Sequence, residues 1–149
     1  MPVGTDTSLH PDDVILSILV LSQPERSPEF TSKPERIHAV FEELLQGASP
    51  ALRKLFRFAA HTPYPYSQRL DTSLASLQFA RLLGMFNPDF RRYVVSKSAR
   101  LAFEELVSPK LKDSPELEAE LRQLSERLWQ AMQTPVPAEP SAQAHAQRD

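Results

Sequence analysis

Residues 61 to 66 read His-Thr-Pro-Tyr-Pro-Tyr, and neither a helix nor a central strand can run through them. Each proline lacks a backbone donor and pushes the residue before it into extended geometry. A rigid corner is therefore fixed mid-chain, and the fold must supply an element on each side of it. On the near side, Ser49-Pro50 opens a helix through Leu52, Leu55, Phe56 and Ala59 that carries Arg53, Lys54 and Arg57 on its polar side. On the far side, Ser67 caps a helix with Leu70, Leu74 and Leu77 on its inner face; Leu82 and Leu83 close it and Gly84 ends it.

The other elements follow from the same kind of reading. Pro11, Asp12 and Asp13 suit a first helical turn, and residues 14 to 21 are apolar almost all round, which predicts a central, buried helix. A buried strand is the alternative for a run so rich in Val and Ile, and the start signal favours the helix. Pro24, Ser27 and Pro28 predict a surface loop over residues 23 to 33. Ser32-Lys33-Pro34-Glu35 fits a capping box ahead of Ile37, Val40, Phe41, Leu44 and Leu45, with Gly47 as the stop. Met85-Phe86 and Tyr93-Val94-Val95, around the turn cluster Asn87-Pro88-Asp89, predict a small hairpin. Ser96 is placed to cap a helix carrying Leu101, Phe103, Leu106 and Val107, which Ser108-Pro109 ends. A last helix starts at Ser114-Pro115-Glu116, and a tail rich in Pro, Ala, Gln and Ser is expected to be disordered from Thr134 onward.

The sum is mainly α with a small β-hairpin: a winged helix-turn-helix core plus a C-terminal helix. Residues 1 to 9 form an arm, 10 to 133 one domain and 134 to 149 the tail. The wording Phe56-Arg57-Phe58, Pro65-Tyr66-Ser67, Leu70, Leu74, Leu77, Leu82-Leu83 and Tyr93-Val94-Val95-Ser96 resembles the winged-helix domains of the Panacea antitoxin type. Arg36-Ile37-His38 to Phe41 resembles the basic-leading helix of that family, and residues 11 to 107 are covered. Tyr64 stands where that family has a corner glycine, and Ser96-Lys97-Ser98-Ala99 where it has Thr-x-x-Gly. The resemblance implies a regulatory or antitoxin-like module that acts by binding and has no active site.

Composition closes off several classes. The chain of 149 residues has no cysteine, which removes disulfides, thiol catalysis and thiolate-ligated zinc and makes the cytoplasm the expected compartment. The longest apolar run is well short of the roughly 20 residues a membrane helix needs. His10, His38, His61 and His145 show no i, i+4 pairing, so no metal site is expected. Acid pairs such as Glu42-Glu43 are sequence neighbours on helices rather than a facing dyad, and three glycines give no phosphate-cradling loop. No catalysis, cofactor or small-molecule substrate is expected.

Charge is distributed unevenly: the net is −2, yet residues 51 to 100 sum to +7 between acidic flanks. A basic centre of this kind can guide a polyanion or an acidic partner. The exposed side of the Ser67 helix would present Gln68, Arg69, Thr72, Ser76 and Phe79. Gln and Arg read base edges, and Ser and Thr hold phosphates. Arg91 and Arg92 near the hairpin tip and Lys97 beyond it complete the expected contacts to double-stranded DNA. An ordinary solvated face is the alternative, and Phe79 suits a protein partner better than DNA. The stripe Leu117, Leu121, Leu124, Leu128 and Met132, with Trp129 beside it, either closes over the chain's own core or pairs with a partner protein or second copy in a homodimer.

Overall fold

The computed structural model describes residues 9–24, 29–59, 63–85 and 92–133. The arm before Leu9, the turn cluster at residues 86 to 91 and the tail from residue 134 lie outside them. Leu9, the last residue of the expected arm, is half-buried against the core. The chain is mainly helical with a small antiparallel sheet, and the elements run α1 (Pro11–Val20), β1 (Glu29–Thr31), α2 (Pro34–Gln46), α3 (Pro50–Arg53), α4 (Gln68–Phe79), β2 (Leu83–Met85), β3 (Arg92–Val95), α5 (Lys97–Ala102), α6 (Ser108–Leu111) and α7 (Pro115–Gln133). The sheet order is β1-β3-β2.

Helix α1 is the axis of the molecule. The Asp13 carboxylate accepts the His10 N–H at 3.1 Å and fixes the first turn. Every residue from Val14 to Val20 is buried, because α4, α5 and α7 all pack on this helix. Ser17, fully buried, satisfies its hydroxyl by donating to the Asp13 carbonyl at 2.7 Å. The helical choice over a strand therefore holds.

Four expectations are corrected. The segment at residues 23 to 33 is not wholly loop: Glu29–Thr31 pairs with β3, with Phe30 opposite Tyr93. Phe30 is fully buried between the rings of Tyr93 and Trp129, at 5.4 and 5.8 Å. The helix after Ser49 lasts only from Pro50 to Arg53, because Ala59 and Tyr66 form a β-bridge that closes the proline corner. The capping box at Ser32 does not form; α2 begins at Pro34, and the Lys33 N–H instead donates to Thr31 Oγ1 at 3.2 Å. Helix α4 ends at Phe79, before the expected Gly84, through Arg81 in the left-handed region (φ 66°). That reversal lets Leu83–Met85 form the hairpin with Arg92–Val95, so Gly84 lies in the strand.

Pro109 does not end the helix after Ser96. Residues Phe103–Val107 form one wide π turn in which the Ser108 N–H reaches the Phe103 carbonyl, and α6 continues beyond it. A widened turn accommodates a proline that has no N–H to give the ladder. It also resets the helix phase: Phe103 and Val107 point inward, while Leu101 and Leu106 are 57% and 63% exposed.

The leucine stripe of α7 closes over the chain's own core. Leu121, Leu124, Leu128 and Trp129 are buried, and Leu117 and Met132 are half-buried against the same cluster. Polar ties reinforce the seat: Trp129 Nε1 donates to the Leu19 carbonyl at 3.1 Å, and the Ser22 N–H donates to Ser125 Oγ at 2.8 Å. The Arg36 guanidinium also reaches the Ala131 carbonyl at 2.8 Å. The stripe is thus covered by α1, α2 and β1, with Leu121, Leu124, Leu128 and Trp129 spent on the core. Among the described residues no helix is long and apolar enough to cross a membrane.

Candidate nucleic-acid interface

The proline corner is held from below by a histidine. His38 projects from the buried face of α2 and is only 1% exposed. Tyr66 stacks on its ring at 4.7 Å, while Tyr64 and Phe58 pack around it at 6.0 and 6.4 Å. Nδ1 accepts the Ser67 backbone N–H at 3.1 Å, which fixes the tautomer with its proton on Nε2. Nε2 faces the Asp71 carboxylate at 3.8 Å, beyond hydrogen-bond reach, and that carboxylate accepts from the Tyr66 hydroxyl at 3.1 Å. Ser67 Oγ in turn accepts the Leu70 N–H at 3.2 Å and caps α4. His38 therefore sets where α4 begins, with both ring nitrogens directed into this junction.

Burial holds the His38 imidazole below its ordinary value, outweighing the opposite pull of Asp71. Protonation would place a hydrogen on Nδ1 against the Ser67 N–H. A group whose folded pKa lies below its unfolded value of about 6.5 contributes stability that is complete above that pH and is lost as pH falls beneath it. Urea midpoints between pH 7.5 and pH 5 are expected to fall for the wild type, and to fall less for His38→Asn, whose amide oxygen can accept the Ser67 N–H without titrating. Parallel profiles for the two proteins would contradict this role.

The corner and the cap together bring a basic groove into being. Lys54, Leu55 and Arg57, from the turn that leaves α3, face Gln68, Arg69 and Thr72 of the first turns of α4 across an open groove of about 480 Å³. Lys54, Arg57, Gln68, Arg69 and Thr72 are exposed, and none of the three cations has an acidic partner among the described residues. The acid nearest in sequence, Asp71, is engaged with Tyr66 on the histidine side.

The structure brings together only part of the expected contact set. Gln68, Arg69 and Thr72 share the groove, and Ser76, one turn on, is half-buried. Arg92 lies on β3 with its Nε 2.8 Å from Glu29 Oε1, so its charge is already met by the neighbouring strand. Lys97 starts α5, where the Ser96 N–H and hydroxyl bind the Leu82 and Arg81 carbonyls; this is the far end of α4. By helical rise that end is about 15 Å or more from Gln68. Arg91 lies outside the described residues. Phe79 is 92% exposed, also at the far end of α4. Lys54 and Arg57 join the site although residue types alone mark them only as a polar helix side. Their basic character was visible, but their convergence on Arg69 depends on the corner.

No group of three metal-ligating side chains occurs among the described residues. No family model, curated protein or solved structure matches the chain.

Proposed function

We propose that this chain is a non-catalytic, DNA-binding regulatory protein that grips duplex DNA through the groove between α3 and α4. The observation that carries the reading is the convergence of Lys54, Arg57 and Arg69 with Gln68 and Thr72 at the start of one helix. The N-terminal residues of such a helix are those that meet base edges in helix-turn-helix proteins, and the helix dipole favours phosphate there. Arg69 supplies paired donors for guanine and Gln68 a donor and an acceptor for adenine, while Lys54, Arg57 and Thr72 serve the backbone. The element order, with a strand between the first two helices and a hairpin after α4, supports a winged-helix assignment. A cytoplasmic setting accompanies this reading, in keeping with the lack of cysteine. The reading carries no dimer through α7, whose stripe is spent on the core.

A titration of labelled duplex DNA at low salt tests the proposal; retention that weakens steadily with added salt supports it, and no retention at low salt ends it. A second reading, a protein-interaction module of antitoxin or accessory-subunit type, is favoured by Phe79, which stands almost fully exposed on α4. Its mark would be a stoichiometric protein partner lost on Phe79→Ser, with no affinity for DNA.

A further inference from the structure

We infer that a second site, at the junction of β3 and α5, binds a small organic anion with an apolar body and a hydrogen-bond donor. The junction and the chain leaving α1 line a half-open cavity of about 640 Å³, within the range of small-ligand sites. Its lining divides by chemistry. Pro24, Val94 and Val95 supply apolar wall, and Lys97 and Arg100 supply two positive charges, with no acidic residue among the described residues that line the cavity. The two cations are three residues apart on one helix, which sets them on one side.

Arg100 is held in place, donating one N–H to the Val20 carbonyl at 2.7 Å. A guanidinium has five such donors, so the others remain available for a carboxylate or sulfonate. Lys97 has no acidic partner among the described residues. The Gln23 side chain lines the same cavity, and its Oε1 is buried without a hydrogen-bond partner among the described residues. A buried acceptor left unpaired is costly, and a ligand hydroxyl or amine would satisfy it. The apolar wall and partial enclosure favour a small anion over the phosphate chain of a duplex.

8-Anilinonaphthalene-1-sulfonate is a suitable probe, having a sulfonate, an aromatic body and one N–H. Fluorescence titration of the folded full chain is expected to give one site, displaced by salicylate and not by neutral benzyl alcohol. Lys97→Glu and Lys97→Met should each weaken the probe by about tenfold or more, the scale of one charge-assisted contact. Lys54→Glu, in the DNA groove, should leave it unchanged, so failure of this site and of the groove are told apart. Probe affinity indifferent to both Lys97 variants, displacement by benzyl alcohol as readily as by salicylate, or displacement by duplex DNA would each overturn the inference.

Discussion

Replacing Trp129 with alanine is expected to remove about 3–5 kcal/mol of stability, the usual range for deleting a large buried aromatic. Trp129 is 4% exposed, meets Phe30 edge-on at 5.8 Å and donates its indole N–H to the Leu19 carbonyl at 3.1 Å. One side chain thus joins α7, β1 and α1. Its loss opens a cavity and leaves a buried carbonyl at the end of α1 with one partner fewer. Natural domains are stable by only about 5–15 kcal/mol, so the variant should be marginal at 37 °C. Urea denaturation measures the loss. A small effect on stability joined to a change in sedimentation would instead return α7 to the role of an interface helix.

The second large effect concerns binding. Lys54→Glu, Arg57→Glu and Arg69→Glu together exchange three cations for three anions at one groove, and duplex affinity at low salt is expected to fall by about 100-fold or more. Stability should scarcely change, because all three side chains are exposed and have no acidic partner among the described residues. Reversing Arg92, which pairs with Glu29 on the sheet, should have the smaller effect on DNA.

Helices with a strong local pattern were legible from residue types alone. The proline and acid start of α1, the stop at Gly47 and the stripe of α7 are local facts that tertiary contacts do not override. What was missed is non-local. Nothing near Phe30 announces a strand, because its reason for being extended is the Tyr93 edge some sixty residues on. The helix after Pro50 stops early because Ala59 is required by Tyr66, and a bridge across a corner leaves no trace in spacing. His38 looked like one of four scattered histidines, yet its place on the apolar face of α2 was the available clue. Of the candidate site, the half on α4 was readable from helical periodicity. The half supplied by Lys54 and Arg57 needed the path of the corner, and the pairing of Arg92 with Glu29 is invisible without β1.

The most direct measurement is the salt dependence of duplex binding by the wild type and by Arg57→Ala, read by fluorescence anisotropy. The two charged phosphate contacts of the groove, Lys54 and Arg57, give a slope of log affinity against log salt of about −1.8 or steeper, and losing one should make it shallower by about 0.9. Binding whose slope is the same in both proteins would place the DNA elsewhere on the surface and contradict the groove as its seat.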